Sequence, residues 1–69
     1  MTVRIEYMQI NQNGSVITNW NTCEGSIMDD PQIYFPRAYN AKIRFEALGH
    51  KTRVRVIDEK TNRIVDMIP

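Results

Sequence analysis

Charged and apolar side chains alternate along the end of the chain, from Arg53 to Pro69, and the alternation is interrupted once, at Glu59–Asn62. A period of two is typical of a β-strand with one face against a core, and Asn62 suits the left-handed position of such a loop. The segment is therefore predicted to be a β-hairpin that opposes Ile57 to Ile64. Its predicted inner face consists of Val54, Val56, Val65 and Met67, and its predicted outer apolar strip consists of Ile57, Ile64 and Ile68.

A second hairpin is predicted near the N-terminus, around Asn13-Gly14. This dipeptide is a strong signal for a type I′ turn, because both central residues of that turn need a positive φ. Centring the turn there opposes Tyr7 to Trp20 and Ile10 to Ile17.

The residues before Arg53 also alternate, over 42–47, and are followed by Gly49-His50. Glycine in the first central position is what a type II′ turn requires. The predicted turn opposes Phe45 to Val54 and Ile43 to Val56, so residues 42–68 are expected to form a three-stranded antiparallel meander.

The segment between the two β regions, residues 23–40, holds conflicting signals. Asp30-Pro31 is a helix-start pattern, with Asp as the cap and Pro at the first position. Pro36 follows after about one turn, where it removes a helical hydrogen bond and breaks the helix. We therefore expect a loop with a short extended piece at Ile33–Phe35.

These elements predict one domain, residues 1–69, of the all-β class: a small antiparallel barrel or roll of about five strands, made of the N-terminal hairpin and the C-terminal meander. A chain of 69 residues has a thin core. Small domains are commonly stabilised by a disulfide, a metal or a partner chain. Cys23 is the only cysteine, so no disulfide can form within one chain.

The composition indicates a cytoplasmic protein. A lone thiol suits a reducing compartment, and the first residues lack the basic and apolar regions of a secretory signal. No apolar run approaches the length of about 20 residues that spans a bilayer, so no membrane partner is expected.

The sequence contains few side chains that could act together in catalysis. The one histidine, His50, is predicted to lie in a turn, nothing in the sequence pairs it with Cys23, and Asp29-Asp30 lacks the spaced oxygen ligands of a calcium loop. No phosphate loop, dinucleotide fingerprint or zinc spacing is present. We expect no enzyme activity, no catalytic residues, no cofactor, no metal and no small-molecule substrate.

Nucleic-acid binding is an alternative, because basic residues are concentrated in one region. The net charge is only +1, yet residues 31–57 contain six basic side chains and one acidic side chain. A basic strand face is typical of small β-barrels that bind nucleic acid. The residues predicted to form it are Arg44, Arg53 and Arg55.

Protein binding is the leading hypothesis. The predicted outer strip of Ile57, Ile64 and Ile68 leaves the sheet partly apolar on both faces, and the second face then needs a cover. The chain's own loop over residues 23–40, with Ile33, Tyr34 and Phe35, is the intramolecular candidate for this cover. A protein partner or a second copy of the chain is the intermolecular candidate. Compact chains of this kind without catalytic motifs are typical of accessory proteins of bacteria and their phages.

The last hairpin also resembles a known family. Residues 43–69 include Val54-Arg55-Val56-Ile57-Asp58, Thr61 and Ile68-Pro69, and this pattern is similar to the conserved part of the flagellar FlaG family. The resemblance implies a small, non-enzymatic flagellar accessory protein and no catalytic residues. Members of that family continue past the Ile-Pro pair into a helical segment.

Overall fold

The computed structural model describes all 69 residues and contains four antiparallel strands in one open sheet and one helix. The prediction of a small, mostly β, antiparallel domain is confirmed, but the sheet is not closed into a barrel. The elements in chain order are β1 (Thr2–Ile10), β2 (Val16–Met28), α1 (Pro31–Glu46), β3 (Lys51–Asp58) and β4 (Ile64–Ile68). The strand order in the sheet is β2-β1-β3-β4.

The first hairpin is present at the predicted position, with a different turn. The Gly14 N–H donates to the Asn11 carbonyl oxygen at 2.9 Å, and Gly14 has a φ of +88°. Asn13 has no positive φ, so this is a turn closed by a left-handed glycine rather than type I′. The pairing shifts with it: Tyr7 lies opposite Asn21 instead of Trp20, and Ile10 lies opposite Val16.

The largest error of the sequence prediction concerns residues 31–46, which form α1 instead of a loop followed by a strand. The Asp30 side chain caps the helix by accepting a hydrogen bond from the Gln32 N–H at 2.9 Å, and Pro31 is the first helical residue. Pro36 lies inside the helix and does not end it.

Packing explains why α1 continues past Pro36. The side chains that face the sheet recur at helical spacing, and burying them outweighs the hydrogen bond that proline cannot make. They are Tyr34, Ala38, Ala41 and Phe45. Ile43 and Phe45, whose alternation predicted a strand, lie on different sides of this helix: Phe45 packs against the core, and Ile43 is exposed.

Gly49 ends the helical segment and does not form a type II′ hairpin turn. Its φ is +95°, and its N–H donates to the Glu46 carbonyl oxygen at 3.0 Å. A left-handed glycine just past a helix is a common stop. Strand β3 then pairs with β1, so the predicted partners of Val54 and Val56, Phe45 and Ile43, are replaced by Tyr7 and Ile5.

The final hairpin confirms the predicted loop. Asn62 has a φ of +59°, and the Asp58 N–H donates to the Arg63 carbonyl oxygen at 2.9 Å. Ile57 lies opposite Ile64, as predicted.

Beyond that pair the predicted register is wrong, because Val65 is a β-bulge. Val56 lies opposite Asp66 and Arg55 lies opposite Met67. An extra residue moves every following side chain to the other face of the sheet. Ile68 is therefore in the core, whereas Val65 and Met67, the predicted core residues, are exposed.

The core lies between α1 and the inner face of the sheet. Its fully buried strand residues are Val3, Ile5, Val54 and Val56. The Tyr7 and Phe45 rings extend it as a stacked pair with centroids 4.2 Å apart. Because only 12 of 69 residues are buried, the core is thin, as expected for a domain of this size.

Candidate interaction surfaces

The predicted apolar strip does not form a continuous exposed surface. Ile57 is 2% exposed and Ile68 is 6% exposed, whereas Ile64 is 55% exposed. Ile57 and Ile64 lie opposite each other on the outer face, away from α1, but the bulge at Val65 turns Ile68 to the inner face. Of the three residues, only Ile64 is available to a partner.

The three predicted nucleic-acid-binding arginines do not share a face. Arg44 lies in the last turn of α1, on the opposite side of the sheet from Arg53 and Arg55. Arg53 is exposed and Arg55 is half-buried. The strand that was predicted to carry Arg44 is a helix, so the predicted basic face contains only Arg53 and Arg55.

The outer face has a compact ion-pair cluster at its centre. Glu6 on β1 accepts hydrogen bonds from Arg4 Nε at 2.9 Å and from Arg55 Nε at 2.8 Å. Burial alone would raise the pKa of Glu6, but the two guanidinium hydrogen bonds and charges outweigh it and hold that pKa below its usual value. Glu6 is therefore charged at neutral pH and fixes both arginine side chains.

The sequence prediction missed an aromatic residue on this outer face. The Arg55 guanidinium lies 4.0 Å from the centroid of the Trp20 ring, a cation–π contact. The type I′ register placed Trp20 on the same face as Tyr7, and the observed register, shifted by one residue, places it on the other. The sequence around Trp20 alternates polar and apolar residues. This alternation predicts a strand, but it does not show on which face of the sheet the Trp20 side chain lies.

The solvent-facing side of α1 carries three large apolar side chains in a row, which we call the helix stripe: Phe35, Tyr39 and Ile43. They are 38%, 46% and 53% exposed. Their spacing of four residues places them one above another along the helix, away from the core-facing Tyr34 and Ala38. The Phe35 and Tyr39 rings are nearly parallel, with centroids 6.3 Å apart.

A basic groove lies between the end of α1 and the sheet, with a volume of about 320 Å³. Its charged residues are Lys42, Glu46, Lys51 and Arg53, and Thr52, Met67, Ile68 and Pro69 complete its lining. No ion pair joins any of the three cations to a carboxylate. Lys42 Nζ donates instead to the Pro69 carbonyl oxygen at 2.5 Å.

The residues with catalytic potential lie in separate places. His50 borders an open polar cavity of about 370 Å³ together with Asn11, Gln12, Asn13 and Gly49. Cys23 is half-buried and packs against the core. Asp30 caps α1. No group of three or more His, Cys, Asp or Glu side chains is placed to hold a metal ion.

No protein-family model, curated protein or solved structure matches the chain. Helix α1 is too short and too polar to cross a bilayer.

Proposed function

We propose that the protein is a non-catalytic interaction module that self-associates through the helix stripe. The observation that carries this proposal is the exposure of Phe35, Tyr39 and Ile43 in one row on the side of α1 that the sheet leaves uncovered. At 1.5 Å per residue the row is about 12 Å long. Aromatic residues in such a row supply the large contact areas that are enriched at protein interfaces.

The charges at the two ends of α1 favour a second copy of the chain as the partner. Asp29 and Asp30 lie at its N-terminal end, and its last turns carry Lys42 and Arg44 against Glu46. In an antiparallel pair of helices related by two-fold symmetry, the acidic end of each helix lies beside the basic end of the other. The helix dipoles are antiparallel in the same arrangement.

Sedimentation equilibrium at micromolar concentrations tests this proposal. The unmodified protein should form dimers, and Tyr39→Asp should be monomeric, because it places an unpaired charge at the centre of the stripe. Tyr39 contributes to no core contact, so circular dichroism should show an unchanged fold.

Ile64→Asp is the matched control. Ile64 is at least as exposed as Tyr39 but lies on the outer face of the sheet, so this variant should still dimerise. If the unmodified protein is a monomer, or if Ile64→Asp abolishes dimers while Tyr39→Asp retains them, the helix stripe is not the interface.

A second candidate function, single-stranded nucleic-acid binding, is supported by the contact between Trp20 and Arg55. An aromatic ring beside arginines, with the exposed Arg53 on the same face, provides the stacking and phosphate contacts that such proteins use. Glu6 neutralises part of this charge, which makes this candidate the weaker of the two.

Trp20 is the only tryptophan, so its fluorescence reports directly on this face. Nucleic-acid binding predicts quenching by a single-stranded oligonucleotide and an affinity that falls steeply with salt. Unchanged fluorescence at low salt would remove this candidate. The resemblance of the last hairpin to the FlaG family stays a prediction, and it implies the same kind of non-catalytic interaction role.

A further inference from the structure

The sheet has a gap at the start of β3. Strand β1 pairs with β3 along its whole length, but β4 pairs only with residues 54–57. The edge of Lys51–Arg53 on the β4 side is therefore not covered by a strand, and it borders the basic groove. A stretch of strand edge that pairs with no other strand is where an extended peptide adds to a sheet. Thr52 is only 2% exposed here, so a peptide has to displace the Glu46 side chain that contacts the Thr52 N–H.

The backbone of Thr52 points into this gap. Backbone groups of alternate residues point to opposite sides of a strand, and the Asp58 N–H bonds to Arg63 on the β4 side. Thr52, at an even spacing from Asp58, faces the same side. Its N–H contacts Glu46 Oε2 at 3.5 Å, at the long limit of a hydrogen bond.

The position of Glu46 indicates that the groove favours a negatively charged ligand. Its carboxylate reaches the Thr52 N–H from the end of α1, in a groove that three cations line. Glu46 is exposed and restrained only by this long contact. One side-chain carboxylate against three side-chain cations leaves a balance of +2 among the groove side chains, so a further anionic group is electrostatically favoured.

We propose that the basic groove binds an extended acidic peptide, which adds to β3 beside β4. A backbone carbonyl of the peptide displaces Glu46 and accepts the hydrogen bond of the Thr52 N–H. An acidic side chain lies among Lys42, Lys51 and Arg53, and an apolar side chain contacts the exposed Met67. The groove contains no residue of the helix stripe and binding does not depend on self-association, although Lys42 and Glu46 also belong to the charged end of α1 that the proposed dimer places beside its partner.

Titration with a synthetic capped peptide tests the proposal. The probe alternates valine and glutamate over about six residues, an ordinary strand length, and its matched control replaces every glutamate by glutamine. The acidic peptide should bind, with its largest amide chemical-shift change at Thr52, and the control should bind about tenfold more weakly or not at all. The titration is repeated with the Tyr39→Asp variant, in which the helix stripe is disrupted. Peptide binding should be the same in this variant, whether or not the helix-stripe proposal holds.

Three variants identify the groove residues. The double variant K51Q/R53Q should weaken binding about tenfold, and Lys60→Gln, an exposed cation on the β3–β4 loop, should leave it unchanged. Glu46→Gln should bind several-fold more tightly, because it removes a like charge. The comparison of the glutamate peptide with the glutamine peptide uses the unmodified protein. It therefore tests the proposal even if one of the protein variants folds poorly.

Several outcomes would overturn the proposal. One is no binding of the acidic peptide at millimolar concentration, and another is equal binding of the glutamine control. A third is weaker binding by Glu46→Gln. Inorganic phosphate and a single-stranded oligonucleotide are the remaining probes: if either binds as tightly and shifts the Thr52 amide equally, the groove is a general anion site and no strand is added.

Discussion

At the scale of single residues, Glu6 has the most consequential environment on the outer face. It is 8% exposed and is the only acceptor of two arginine side chains that are themselves less than a quarter exposed. An ion pair in such a position is costly to break from one side, because the remaining charges lose their partner. The cluster also covers the sheet around Ile57, which lies opposite Arg4.

Replacing Glu6 by glutamine should therefore lower the free energy of unfolding by about 2 kcal/mol, because both guanidinium groups lose a charged acceptor. Urea unfolding monitored by circular dichroism measures it. Glu24→Gln is the matched control: its ion pair with Arg37 is exposed on both sides and should change stability by less than about 0.5 kcal/mol. Equal effects of the two substitutions would contradict this account.

Glu6 and Tyr34 also predict how stability depends on pH. The lowered pKa of Glu6 contributes stability that is present above its usual value of 4.5 and is lost as the pH falls through the folded value. Tyr34 behaves oppositely, since burial, followed by the negative charge of Asp66, raises its pKa. Its contribution is present below the usual value of 10.0 and is lost as the pH rises through the folded value.

Denaturation midpoints measured across pH should thus fall at both extremes. Glu6→Gln should reduce the acid loss, and Tyr34→Phe should reduce the alkaline loss. Tyr39→Phe, which changes an exposed ring, should keep the alkaline loss. An alkaline profile that is the same in Tyr34→Phe and the unmodified protein would refute the assignment to Tyr34.

At the scale of elements, α1 is the part of the fold that its own residues support least. Pro36 lies in its interior, where it removes a hydrogen bond and clashes with the preceding turn. The helix is stabilised by its cap at Asp30 and by the burial of Tyr34, Ala38 and Ala41 on the sheet. Most helical stability in proteins comes from such packing rather than from propensity.

Pro36→Ala should accordingly raise the free energy of unfolding by about 1 kcal/mol. The recovered helical hydrogen bond exceeds the added flexibility of the unfolded chain. Pro31→Ala provides the comparison, because proline at the first helical position is favourable, and it should be neutral or destabilising. Chemical denaturation decides between them, and a stabilising Pro31→Ala with a destabilising Pro36→Ala would reverse the expected order.

At the scale of the whole molecule, the thin core and the helix stripe together predict that stability depends on protein concentration. A dimer that forms only from folded chains gains stability by mass action. The gain is about 1.4 kcal/mol per dimer for each tenfold increase of the protein concentration above the dissociation constant. Shared between two chains, this is about 0.7 kcal/mol per chain. Because about 1 kcal/mol shifts the melting temperature of a domain of this size by roughly 4–8 °C, each tenfold step should raise it by roughly 3–6 °C.

Calorimetry over a hundredfold range of protein concentration measures this dependence. The melting temperature should rise with concentration in the unmodified protein and in Ile64→Asp, and it should stay constant in Tyr39→Asp. A melting temperature that is independent of concentration in the unmodified protein would show that the folded chain is stable without a partner.

The sequence alone was enough to predict the two hairpin positions and the left-handed Asn62. It also predicted the inward orientation of Val54 and Val56. Each of these depends on turn chemistry or on a period of two within a few residues, and both are local properties.

Tertiary structure alone decided the helix over Pro36, the bulge at Val65 and the face on which Trp20 lies. The helix exists because the sheet buries one of its sides, and a strand's register is set by what the neighbouring strand and the core accept. The predicted strip of Ile57, Ile64 and Ile68 failed for this reason, since one extra residue in β4 reversed the side on which Ile68 lies. The basic groove likewise results from contacts between residues distant in sequence. The helix stripe has a local spacing of four residues, but it forms only because packing on the sheet makes residues 31–46 a helix.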